Sequence, residues 1–341
     1  MPGASVHARG AGLEPALPLP APAAAAGETP LPYEGGETRV RSLALRQLNR
    51  LISYEAKVLK GNDPDAIHDM RVASRRLQLM LELVYPKPRP PAVRVMRRQL
   101  RRCRRVLGEV RNCDVLIEMA GRALGRKRAV RREAWTAVQH YLVSRRGESF
   151  GRAMRKFGKL NLALLYTRLK ESLAPRTPEN HTHHPTAPDF GRQMAAALEP
   201  AWTAFLARIA HSLHRPRPET IHAARIAAKR LRYLLEVYRE FEIAGSAERL
   251  LWLRHLQTHL GDWHDLEVLE QMVLEMLARP EFLRDQLPLA IDVEKLLLLN
   301  RRHKAGLEAK FVHIARESDE MNRLKEWASR RLREAQVPCP A

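Results

Sequence analysis

Cysteine is scarce in this chain: Cys103, Cys113 and Cys339 are the only three in 341 residues, an odd number with no C-x-x-C pair. That argues against a disulfide framework or a cysteine-based zinc site, and a reducing, cytoplasmic setting is expected. Aromatic residues make up only 6%, which suits helical bundles packed with Leu, Ala, Val and Met. No apolar run reaches the length of a membrane span. The first residues alternate Ala and Pro through Ala26 and lack the uninterrupted apolar core of a signal peptide. Walker loop, nucleophile elbow and dinucleotide fingerprint are all missing, so no cofactor is expected. Acidic residues are also in deficit, at 38 against 59 Lys and Arg, which leaves a net charge of +21.

Such an excess draws polyanions from a distance and opposes self-association. The candidate partners are therefore nucleic acid, polyphosphate and an anionic membrane surface. The length allows two domains, each able to bury a core. Residues 1–38 are rich in Pro, Ala and Gly without periodicity and read as a disordered arm. Helical spacing takes over from Arg39, and no convincing strand pattern follows. Residues 174–189 hold four prolines and read as a linker between bundles at 39–173 and 190–334, with a tail at 335–341.

The two halves repeat. IHDMRVASRRLQLMLELV at 67–84 aligns without a gap with IHAARIAAKRLRYLLEVY at 221–238, an offset of 154. LGEVRNCDVLIEM at 107–119 aligns with LGDWHDLEVLEQM at 260–272, an offset of 153. Two motifs in the same order and nearly the same separation point to internal duplication. The expected fold is all-α: two tandem helical bundles, each around a four-helix core, related by a pseudo-twofold. In the first half helices are expected near 40–60, 64–85, 92–107, 113–125 and 128–171, the last one broken. Pro64 and Pro218 suit the first position of a helix, where a missing N–H costs little. Asp65 and Glu219 follow in the first turn, favourable for the helix dipole. Gly108 and Gly261 read as C-terminal caps.

At about 100° per residue, Met70, Leu77, Leu81 and Val84 share one arc of roughly 60°, which predicts the buried stripe. His68, Arg71, Arg75 and Glu82 share a neighbouring arc. His222, Arg225, Lys229 and Glu236 occupy the same places in the second copy, which adds Arg232. On the next helix Arg94, Arg98, Arg101 and Arg105 fall on one arc, although like charges at this spacing repel. An anionic ligand would offset that repulsion. Residues 90–160 carry 20 Lys or Arg against 5 Asp or Glu. Arg predominates, and its planar fork suits phosphate oxygens.

The second motif pairs His264-Asp265 with Arg111-Asn112. Asp265 could orient His264 or cap a helix starting there. The dipeptides His68-Asp69 and His264-Asp265 raise a metal-dependent phosphohydrolase as an alternative. Four ligands would have to converge on the metal, yet Asp69 aligns with Ala223 and lies about 100° from His68. Three linker histidines, His181, His183 and His184, could hold a transition metal only weakly.

At these residues the sequence resembles the CHAD family, the conserved histidine alpha-helical domain, over roughly 39–334. IHDMRVASRRL and IHAARIAAKRL, each followed by LGEVRNCDVL or LGDWHDLEVL, carry the likeness. The resemblance implies two helical bundles whose basic surfaces meet around a central groove. It also implies inorganic polyphosphate as the ligand, residence at polyphosphate granules, and granule-associated proteins as further partners. Carried over by position, the ligand-facing set is His68, Arg71, Arg75, Arg98, Arg101 and Arg105, then His222, Arg225, Lys229, Arg232 and His264. Relatives often have Arg-Asp where this chain has Arg111-Asn112, so an acidic role there is in doubt. A binding protein with no catalytic residue and no metal is expected.

Sequence-blind binding of nucleic acid is the main alternative, since a polyphosphate and a nucleic acid backbone draw cations alike. Single-strand recognition also uses aromatic platforms. Here Trp135, Tyr141, Trp202, Tyr233 and Tyr238 do not interleave with the arginine rows, which favours polyphosphate.

Overall fold

The computed structural model describes residues 35–126, 131–174 and 190–334, and the regular structure in them is helical throughout. The first half forms α1 (Gly36–Ser53), α2 (Glu55–Lys60), α3 (Pro64–Val84), α4 (Pro91–Val106), α5 (Gly108–Leu124), α6 (Arg132–Phe157) and α7 (Leu162–Leu173). The second forms α8 (Phe190–His214), α9 (Pro218–Glu240), α10 (Ser246–Leu277), α11 (Pro280–Asp285), α12 (Leu287–Glu317) and α13 (Asp319–Glu334). The linker histidines, most of the arm and the C-terminal tail lie outside the described residues.

Local chemistry fixes the starts of the two motif helices. Before α3, the Asp63 side chain accepts the Ala66 N–H at 2.9 Å, and Pro64 takes the first helical position. Before α9, the Arg217 N–H donates to the Thr220 hydroxyl at 3.0 Å, with Pro218 placed like Pro64. The predicted stripe of Met70, Leu77, Leu81 and Val84 is buried.

Neighbour relations recur along the chain. α1 packs on α3 as α8 packs on α9, and α7 lies on α1 as α13 lies on α8. The α4–α5 segment takes the place that α10 takes in the second half, with α6 against α5 and α12 against α10. One difference corrects the sequence reading. Leu107, at φ −86° and ψ 4°, separates α4 from α5, and Gly108 opens the second of these helices. Gly261 instead lies inside α10, a single helix of 32 residues. Gly261 therefore follows no helix end, and no helix starts at Asp265.

The apolar interior is not divided between the halves. The larger cluster runs from α1 and α3 through α8 and α9 to α13. A smaller one joins Cys113, Leu116, Val138 and Leu142 of α5 and α6 to Leu269, Val273, Val293 and Leu297 of α10 and α12. An area of apolar surface shared in this way ties the halves together by the ordinary hydrophobic effect. Among the described residues no helix is long and apolar enough to cross a membrane.

Candidate anion-binding site

α3 and α9 meet in opposite directions: Arg76 pairs with Glu236, and further along α3 Glu82 pairs with Arg230. Beside this crossing lies a cavity of about 630 Å³, walled by α3, the end of α4, α5, α9 and α10. From α3 come His68, Arg71, Arg75 and Glu82; from α9 come His222, Arg225, Lys229, Arg230 and Arg232. α4 and α5 add Arg104, Arg111, Asn112 and Glu118, and α10 adds Arg254, His264 and Asp265. Nine Lys or Arg side chains thus face three carboxylates in one enclosure.

Several of these cations are held by the fold. The Arg71 guanidinium donates to the carbonyl of Arg104, one of the last of α4, where no further turn supplies an N–H. Gly108 makes room for it, since a Cβ there would stand 3.3 Å from Arg71 Nη1. Arg104 donates to Gln78 Oε1 at 3.0 Å, and burial next to Arg75 draws its guanidinium down to about 10. Arg232 is nearly excluded from solvent, 3.6 Å from Glu236, with its guanidinium over the Tyr233 ring at 4.7 Å. So Tyr233 does stand among the cations, contrary to the sequence reading, but its face is covered by an arginine.

The histidines of the second half form a pair. His222 Nδ1 and His264 Nδ1 are 3.3 Å apart, with ring centroids at 4.8 Å. Burial first, then Arg225, His222 and Lys229, take His264 down to about 3. His222 is lowered by burial, Arg225 and Lys229. Next to them Asp265 is pushed up to about 6, burial outweighing Arg225, Lys229 and Arg111. Burial in the cavity thus disfavours the charged forms of Arg104, Arg254, His222, His264 and Asp265, and an anion would relieve the cations among them while a cation would not.

Eight of the eleven residues singled out from sequence line the cavity: His68, Arg71, Arg75, His222, Arg225, Lys229, Arg232 and His264. Arg98, Arg101 and Arg105 do not; with Arg94 they lie on the exposed side of α4. The reason is angular. Val93, Met96, Leu100 and Cys103 are the buried side of α4, and the arginine row is centred roughly 140° from them at about 100° per residue. Arg97 and Arg104 flank the buried stripe instead, and Arg104 reaches the cavity. Sequence reasoning also missed Arg111, Arg230 and Arg254. Arg111 aligns with His264 at the offset of 153, a signal that was present. Asp69 is turned away from the cavity towards Tyr54. Among the described residues no three His, Cys, Asp or Glu side chains come together as a metal would require.

A family model described as CHAD domain matches residues 42–274. The crystal structure of the CHAD domain from the plant Ricinus communis aligns with a TM-score of 0.57 at 25% identity, over 81% of this chain and 91% of that one. PptA from Streptomyces chartreusis aligns with a TM-score of 0.51 at 15% identity, over 88% and 98%, a likeness of fold alone. No curated protein matches.

Proposed function

The chain belongs to the CHAD domain family, and we propose on that footing that its central cavity binds inorganic polyphosphate. The observation that carries the reading is the enclosure itself: nine cations against three carboxylates, drawn from both halves of the chain. A linear polyanion with a charge on every unit gains affinity by releasing counterions as each cation neutralises a phosphoryl group. Arg71, Arg75, Arg225 and Arg232 supply planar donors for bidentate contact, and Lys229 a point charge. His68, His222 and His264 can donate as well once an anion makes protonation favourable.

The site in this reading holds the polymer and does not cleave it. The chain then resides in the cytoplasm at polyphosphate granules, where granule-associated proteins are its neighbours. Nucleic acid competes mainly through its backbone, because the one Phe, Tyr or Trp ring among the lining residues, Tyr233, is covered by Arg232.

The test is competition among polyphosphate, DNA and RNA across a salt series, with wild type and an Arg225→Ala/Lys229→Ala variant. Polyphosphate is expected to win at each salt concentration, and the variant to lose affinity about ten-fold to a hundred-fold, as for removal of charged hydrogen-bond donors. Preference for DNA or RNA would reverse the assignment. Steady release of phosphate from polyphosphate by the purified chain would make it an enzyme.

A further inference from the structure

Just beyond the end of α3, where the chain turns into α4, four cations gather. Lys87, Arg89, Arg94 and Arg97 line an open surface pocket together with Pro88, and no carboxylate lines it. Arg97 is held from behind by Glu82, which also takes Arg230. The Nε atoms of Arg89 and Arg97 are buried and have no hydrogen-bond partner among the described residues. Burial lowers the Arg97 guanidinium, with Glu82 opposing and Arg89, Arg101 and Arg230 adding to the fall. Four like charges around one depression repel, and a single carboxylate shared between two arginines does not neutralise them.

The position matters as much as the charge. The α3 flank that walls the cavity runs from His68 to Glu82, about 21 Å along the helix axis. Glu82 lines the cavity and its partner Arg97 lines the pocket, so the two sites lie end to end across one ion pair. The exposed row of α4 that the cavity does not use begins in this pocket at Arg94 and continues through Arg98 and Arg101.

We infer that this corner is a second phosphoryl-binding site, which takes up a polyphosphate chain where it leaves the cavity and so gives long chains an advantage over short ones. The inference rests on the cavity being a polyphosphate site. A compact anion such as tripolyphosphate is accommodated by the cavity alone. Each further cation engaged by a longer polymer adds to the counterions released, and so to affinity and to its salt dependence.

Direct titration of tripolyphosphate and of long-chain polyphosphate into the full chain separates the cases. The variant is Lys87→Gln/Arg89→Gln/Arg94→Gln, which spares Arg97 and its half-buried partner Glu82. It is expected to bind long chains about ten-fold more weakly, with a shallower salt slope, and tripolyphosphate as wild type does. An Arg208→Gln/Arg302→Gln/Arg330→Gln control removes three exposed cations elsewhere and is expected to leave both affinities alone. Unchanged long-chain affinity in the first variant, or an equal loss in the control, overturns the second site while the cavity reading stands. Wild type that binds neither ligand removes both.

Discussion

Arg76 on α3 and Glu236 on α9 form an ion pair of 2.9 Å with both side chains almost wholly excluded from solvent. Advancing by the motif offset of 154 turns Arg76 into Arg230 and Glu82 into Glu236. Arg230 and Glu82 are themselves paired, at 3.0 Å, with Arg230 half exposed. The two contacts are therefore reciprocal in sequence, each crossing between the halves, but only one of them is buried. The consequence for stability differs accordingly. Glu236→Gln leaves Arg76, Arg232 and Arg254 facing one another and is expected to cost about 3–5 kcal/mol in urea unfolding. Arg230→Ala, whose loss leaves Glu82 with Arg97, is expected to cost no more than about 1 kcal/mol. Comparable losses from the two would mean that burial does not set the worth of these pairs.

Affinity for polyphosphate is expected to rise as pH falls. Burial and neighbouring cations hold His264 at about 3, and His222 is also lowered; phosphoryl oxygens beside them would favour the charged rings, so binding takes up protons. The gain appears as pH drops through the raised, ligand-bound values and is absent well above them. Asp265 loses its charge in the same direction, so the comparison is made in an Asp265→Asn background. There, adding His222→Gln and His264→Gln should flatten the profile; a slope that survives both substitutions assigns the protons elsewhere.

Asp265→Asn is expected to stabilise the fold at neutral pH. The carboxyl is held at about 6, above its ordinary 3.8. A raised carboxylate value means that the folded state disfavours the charge, so its destabilising effect is complete above the folded value and gone below the unfolded one. The gain in Tm should thus be present at pH 7.5 and vanish near pH 3.5. The first half already carries the neutral counterpart, Asn112. A Tm difference independent of pH would show that packing, not charge, is responsible.

The two motif glycines should respond differently to alanine. A Cβ at Gly261 meets nothing within 4 Å inside α10, so Gly261→Ala should stabilise by about 0.5–1 kcal/mol through helix propensity. At Gly108 the new methyl crowds the end of Arg71, 3.3 Å away. Gly108→Ala should displace that guanidinium from the Arg104 carbonyl and weaken polyphosphate binding more than it changes Tm. Unfolding curves and titrations on the two variants check the contrast.

Helix boundaries were largely legible because prolines, first-turn acids and the 3.6-residue stripe agree with one another, as at Pro64 and Pro218. The α3 and α9 flanks were legible too, since His68, Arg71 and Arg75 lie at the edge of a buried stripe and so beside a neighbouring helix. The α4 row misled because sharing an arc says nothing of where that arc points. Only its angle to Leu100 and Cys103 decides, and it faces solvent. Arg254 and Arg230 depended on how α10 and α9 pack across the halves, which no local period encodes. Gly261 was misplaced for a related reason: a glycine can end a helix or be carried through one, and the continuous packing of α10 chose the second.

The mixed apolar cluster beneath α5, α6, α10 and α12 has one further effect. Neither half can swing outward without wetting Leu116, Val138, Leu269 and Val293, so the walls do not work as jaws. Any guest of the proposed site therefore meets walls whose spacing is set before it arrives, and the fold spends nothing on closing around it.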